Sequence, residues 1–337
     1  MRWILSLACL LALPAKAQNA DPFVCPPMVA PVMRLDYGSR YDSADKSRSS
    51  FDEASNAEVN SQLQPVDDFI SDMAFAANTA LATQMPEAVD CVVTGLAQWA
   101  KAHALEDMGS LNAQISVPSR VAGLAFAWAE VAPMVATGAD ATLIEAWLGG
   151  LSHSTIRFFD RDAPQKASRN NLRAWAALAV ARIGITLDDK AMMDWAADSV
   201  RLVACTADPD GSLPLEMARK DKALHYQLHA LTALIPAAVL LQDRGYTLFA
   251  DCDASLHRSI RFAISAFADP SEVTAHAKKK QSYFNGKEKL QGFEMAWASA
   301  YLSLFHAPSV TEFILPFTGL ANSKLGGLQS LIWQSPR

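Results

Sequence analysis

The sequence predicts an all-α chain whose helices pair as antiparallel hairpins. Three observations carry this. From residue 56 onward, apolar residues recur at helical spacing in one stretch after another. Ala, Leu and Met, strong helix formers, dominate those stretches, and alternating β-branched runs are nearly absent. The connections are short and the stretches similar in length, which favours consecutive hairpins. A solenoid and an α/α toroid both satisfy this, the toroid being an incomplete barrel with an inner and an outer ring. No fixed-period motif recurs, which favours the toroid. Its concave face, floored by inner helices and rimmed by their loops, suits a long polymer.

The chain begins with a secretion signal, expected over residues 1–17. Arg2 supplies the positive start, residues 4–13 the apolar run, and Ala15, Lys16 and Ala17 a small-x-small cleavage site. Cleavage there leaves Gln18 first. The run is too short to span a bilayer, and the sequence offers no second charge-free apolar run long enough to do so. A protein exported to the periplasm of a Gram-negative cell, with no membrane span, is expected. Residues 18–55 read as an N-terminal arm. Pro22, Pro26, Pro27 and Pro31 oppose an early helix, and Tyr37 to Asp42 form a polar, aromatic loop.

Residues 56–337 read as one helical domain. Phe69, Met73, Ala76 and Ala80 mark its first helix, and Val92, Val93, Leu96, Trp99, Ala100 and His103 the next. Val121, Leu124, Ala125, Trp128 and Val131 follow, then Leu143, Trp147, Leu151 and Ile156. Leu172, Trp175, Ala179 and Ile183 mark another, capped by Ser168, and Met192, Trp195, Val200 and Leu202 the one after. Ala223, Leu224, Leu228, Leu231 and Leu234 form a stripe behind an Asp221 cap. Leu256, Ile260, Phe262 and Phe267 mark the next, and Phe293, Met295, Trp297 and Tyr301 the last.

Bulk properties exclude several functions. Hydrophobic residues are 51% and charged residues 19%, a globular balance with ample core. A net charge of −6 argues against a nucleic-acid partner. Of the cysteines, Cys9 leaves with the signal, and Cys25, Cys91, Cys205 and Cys252 remain. In an exported chain these permit two disulfides in any of three pairings. The favoured pairing joins Cys25 with Cys91 and Cys205 with Cys252, the first tying the arm to a helix. The absence of any CxxC spacing argues against redox and zinc-finger roles.

Residues 210–231 are the chemical centre of the sequence. Asp210 and Gly211 suit a turn with positive φ, and Pro214 fixes the following bend. The next helix carries His225, Tyr226, Gln227 and His229. His225 and His229 have the i, i+4 spacing of metal ligands, but HYQLH lacks the glutamate of HExxH, and no metal is expected. Asp160, Asp162, Asp210 and Glu216 could supply a glycosidase pair only at a suitable separation. The Lys278, Lys279 and Lys280 run, with Lys287 and Lys289, reads as a solvated loop, the other reading being a lid over an anionic polymer.

The order NN-x-x-x-W, at Asn170, Asn171 and Trp175, then DG-x-LP-x-E-x-x-R-x-x-x-AL-x-Y, from Asp210 to Tyr226, resembles the alginate lyase family of polysaccharide lyases. Ser39, Arg40 and Tyr41 look like that family's substrate loop, and Val89, Asp90, Cys91, Trp99 and Ala100 like its VDC and WA helix. The resemblance implies an α/α toroid, β-elimination on an anionic uronate polysaccharide, no cofactor and a monomer. It implies that Asn171 and Arg219 neutralise the substrate carboxylate while Tyr226 is base and acid. Tyr226 needs a phenol pKa below about 10 to act as base, and a nearby guanidinium pushes it that way. In β-linked mannuronate, C5-H and O4 lie on one side of the ring, so one tyrosine can serve both. Arg40 and Tyr41 would grip a neighbouring sugar and Trp175 would pack on a pyranose face. Asn170, Lys222 and His225 complete the expected binding set. Two residues depart from the family: Leu172 stands where NNH has its histidine, and Gln227 where histidine often follows the tyrosine. His225, His229 and Lys222 are candidates for the missing donor. A substrate whose carboxylate sits differently, in another uronate polymer, also fits the change at Leu172, and a non-catalytic or weakly active periplasmic uronan-binding relative is the alternative reading.

Overall fold

The structure, a computed structural model, describes residues 22–333; the expected signal peptide lies outside the described residues. Its helices are α1 (Glu53–Thr83), α2 (Pro86–Lys101), α3 (Leu111–Ser116), α4 (Pro118–Val131), α5 (Ala139–Arg161), α6 (Asn171–Thr186) and α7 (Lys190–Ala204). They continue as α8 (Pro214–Met217), α9 (Ala223–Gln242), α10 (Asp251–Ala268), α11 (Ser271–Ala277), α12 (Trp297–Leu302), α13 (Pro308–Ile314) and α14 (Gln329–Ile332). Two-residue strands make two small ladders. β1 (Arg34–Leu35) runs parallel to β2 (Asp107–Met108), and β3 (Ala321–Asn322) antiparallel to β4 (Gly327–Leu328).

The helices form an α/α toroid. α1, α4, α6, α9 and α12 each pack on the next, making the inner ring, and α14 contacts both α12 and α1. α2, α5, α7 and α10 lie outside them. Burial explains the division. α4, α6 and α9 bury residues on every face, as inner helices with neighbours on all sides must. α2 and α7 are amphipathic, with one buried stripe and an exposed face.

α9 corrects one expectation. The segment Lys220–Gln242 is long and apolar enough by length and composition to cross a membrane. Its most apolar window is 83% buried inside the protein, so its apolarity belongs to an inner-ring helix. Helix boundaries also differ. α1 starts at Glu53, where Asp52 accepts from the Ser55 amide. Asn170, not Ser168, caps α6 by accepting from the Leu172 amide. α9 has no Asp221 cap; Gln281 reaches from a distant loop to accept from the Leu224 amide. The last expected helix is a 3-10 turn, Gly292–Met295, followed by α12.

The arm is tied down at several points. Cys25 is bonded to Cys91 on α2, Trp99 donates to the Val29 carbonyl, and β1 pairs with β2. Cys205 is bonded to Cys252. These anchors carry the loop after Tyr37 to the mouth of the toroid.

Candidate active site

A cleft of about 680 Å³ opens on the concave face. The N-termini of α6 and α9, the turn before α9, the arm loop and the C-terminal segment all line it. Arg40, Lys46, Arg48, Arg120, Lys166, Arg219 and Lys324 line its walls, and among the described residues no aspartate or glutamate does. A protein of net charge −6 thus presents a cationic groove.

The sequence places the turn before α9 by small, specific devices. Gly211 has φ 100°, and a Cβ there would lie 2.3 Å from the Arg258 backbone. Gln227 accepts from the Leu213 amide at 3.0 Å and donates to the Gly211 carbonyl at 3.0 Å, stapling the turn to α9. That is the task of the residue that departs from the family pattern. Glu216, 1% exposed, accepts from Asn171 twice: from the backbone amide at 2.8 Å and from Nδ2 at 2.9 Å. The carboxylate therefore caps α6 and orients the Asn171 carboxamide. Burial raises the Glu216 carboxyl to about 7, against the pull of Asn171 and Arg219.

Tyr226 lies in the first turn of α9. Its hydroxyl shares a 2.5 Å hydrogen bond with the Tyr41 hydroxyl from the arm loop. The Arg219 guanidinium lies 3.5 Å from the Tyr226 ring centroid and 5.2 Å from that of Tyr41. Arg219 also donates to the Arg48 carbonyl, so the loop clasps the cleft at two points. Arg219 does pull the phenol downward, as expected, but burial outweighs it and, with Tyr41, holds the Tyr226 phenol well above its ordinary value. The resting group is a neutral phenol.

Of the expected site residues, Asn170, Asn171, Trp175, Arg219, His225, Tyr226, Arg40 and Tyr41 line this cleft. Lys222 does not; its ammonium pairs with Glu288. Trp175 is 3% exposed, its ring tilted against His229 at 5.3 Å, so it supports the wall rather than offering a sugar a flat face. Leu172 lines the cleft half-buried, against Phe158 and Phe159. None of the candidate glycosidase acids, Asp160, Asp162, Asp210 and Glu216, lines the cleft. Asp160 pairs with Arg173, Asp210 with His276, and Glu216 is engaged by Asn171. The Lys278 run is exposed and off the cleft.

Sequence reasoning missed Arg120, Lys324 and the role of Glu216. Arg120 and Lys324 carry no local signal, since long-range packing alone brings α4 and the segment after β3 to the cleft. Burial, with Arg120 next, lowers the Lys324 ammonium to about 8. Burial likewise holds the His229 imidazole well below its ordinary value, so it lines the cleft uncharged.

The chain is 28% identical to an alginate lyase of Pseudomonas putida over 278 residues, covering 81% of this chain and 74% of that protein. It is 26% identical to one of Pseudomonas syringae pv. tomato over 298 residues, covering 86% and 78%. Its fold superposes on the crystal structure of alginate lyase A1-III from Sphingomonas species A1 with a TM-score of 0.77, at 21% identity, over 94% of this chain and 88% of that one. A form of that lyase complexed with a tetrasaccharide matches at 0.81, over 96% and 90%. The alginate lyase family model matches residues 18–273, and the chain belongs to that family of polysaccharide lyases.

Proposed function

We propose that the protein cleaves a uronate polymer, mannuronate-rich alginate or a related exopolysaccharide, by β-elimination in the periplasm. The observation that carries this is the Tyr226 ring under the Arg219 guanidinium, in a cationic cleft that no carboxylate among the described residues lines. Hydrolysis by a carboxylate pair has no acids to use there. Elimination needs a neutralised uronate carboxylate, a group to take the C5 proton and one to protonate O4.

Asn171 has a second Nδ2 hydrogen beyond the one given to Glu216, and Arg219 adds a charged donor; both act on the reacting carboxylate. Tyr226 as phenolate takes the C5 proton and returns it to the leaving O4 on the same side of a mannuronate ring. Arg219 stabilises that phenolate against the cost of burial. Arg40 and Lys324 engage carboxylates of neighbouring sugars.

The test is growth of ultraviolet absorbance from a new C4=C5 double bond, measured on mannuronan, guluronan and glucuronan. A protein that binds these polymers without producing that absorbance is the non-catalytic relative instead. N-terminal sequencing of protein from the periplasmic fraction tests export, with Gln18 the expected first residue.

A further inference from the structure

We propose that Glu294 and Tyr283 are positioning residues that hold His225 as its Nδ1–H tautomer, leaving Nε2 in the cleft as a second proton acceptor beside Tyr226. The inference rests on the lyase reading above. His225 lines the cleft, yet its Nδ1 faces away toward protein. That nitrogen lies 3.3 Å from Glu294 Oε1 and 3.3 Å from the Tyr283 hydroxyl. Tyr283 donates its own proton to Glu294, so toward His225 the hydroxyl can only accept. Burial and the Glu294 charge together keep the Tyr283 phenol protonated. Both neighbours of Nδ1 are acceptors, and Nδ1 must carry the hydrogen. In that tautomer Nε2 is bare, and no protein partner for it is found among the described residues.

The carboxylate is itself fixed. Glu294 is buried, and its Oε2 accepts from the Gln291 amide at 2.8 Å within a capping box. This is the arrangement of a base oriented by a third group. The cleft's other imidazole, His229, has no hydrogen-bonded orienter among the described residues. The remaining titratable and charged groups around His225 are Tyr226 and His229 on α9, and Glu288 with its partner Lys222.

The dyad adds a second route to elimination beside the phenolate route above, open while Tyr226 is still a phenol. The C5–H bond breaks and its proton goes to Nε2, while Glu294 faces the imidazolium that forms. The C4=C5 bond forms, the C4–O4 bond breaks, and O4 takes the Tyr226 proton. The proton on Nε2 then returns through water to the phenolate, restoring both groups. This route does not require the buried phenol to ionise first.

Four variants and one spectrum test the proposal. His225→Ala should lower kcat about 10²-fold with KM little changed, and added imidazole should restore turnover. Tyr226→Phe should not respond to imidazole. Glu294→Gln and Tyr283→Phe should each lower kcat about tenfold and shift the ascending limb of its pH profile. Nitrogen-15 NMR of the substrate-free protein should show His225 protonated at Nδ1. An Nε2–H tautomer, wild-type turnover in His225→Ala, or failure of imidazole to rescue it overturns the proposal. If the wild type makes no unsaturated product from any uronan, the lyase reading fails, and the tautomer measurement still tests the positioning roles.

Discussion

Glu216 holds Asn171 by both ends, accepting its backbone amide on one carboxylate oxygen and its side-chain amide on the other. One buried acid thus sets both the start of α6 and the direction of a carboxamide in the cleft. Because burial raises the Glu216 carboxyl from 4.5 to about 7, the folded state binds its proton more tightly than the unfolded state does. Its contribution to stability is therefore full below about 4.5 and is lost as pH rises through about 7, by on the order of a few kcal/mol. Thermal melts across that window should show a decline that Glu216→Gln flattens. The same variant should lower turnover, because Asn171 loses one anchor. An unchanged melting profile together with unchanged turnover would remove Glu216 from the site.

Tyr226→Phe deletes one hydroxyl and its bond to Tyr41. The fold should persist by circular dichroism, while turnover on the best uronan falls by at least ~10². Arg219→Ala should lower turnover and weaken oligosaccharide binding, since it removes both the carboxylate donor and the clasp on the arm loop. A Tyr226→Phe enzyme with wild-type turnover would refute the proton-transfer assignment.

Leu172→His tests the departure from the family motif. The side chain is half-buried on the cleft wall, so an imidazole there can reach water and substrate. The expected cost is no more than ~1 kcal/mol. Turnover on mannuronan should rise, up to the roughly 10² that one well-placed donor supplies. A strongly destabilised variant with no added activity would place Leu172 in the core rather than the site.

The two cystines should leave the chain about four hydrogens lighter by non-reducing mass analysis than its reduced form. They span sequence separations of 66 and 47 residues. Each should contribute ~3–4 kcal/mol in the chain-entropy picture, so reductant should lower the melting temperature. Free thiols at all four positions in denatured, unreduced protein would contradict the pairing.

The cleft's cations predict a salt effect. Oligouronate affinity should fall as ionic strength rises, because the screening length shortens to about 10 Å at 0.1 M salt. Lys324→Met should weaken binding and reduce that salt dependence. Affinity indifferent to salt would mean that the cationic lining does not hold the polymer.

Periodicity determined much of this protein from its sequence alone. Stripes such as Leu224, Leu228 and Leu231 are set by the 3.6-residue turn, which each helix obeys whatever surrounds it. Local chemistry likewise announced the Gly211 turn and the order of Asn171, Arg219 and Tyr226 along the chain. What only the tertiary structure decided are relations between distant segments. Asp221 reads locally as a cap, yet Gln281 from 57 residues away accepts from the Leu224 amide. Trp175 reads as a sugar platform, but ring closure buries it. Arg219 alone argues for an acidic phenol, whereas the enclosure made by Tyr41 and the surrounding walls raises it. Lys324 carries no motif and enters the cleft because the segment between β3 and β4 packs against α1 and α4. Helical period and turn geometry act over a few residues and can be read in order; burial, and the charge states it imposes, depends on every segment that closes the ring.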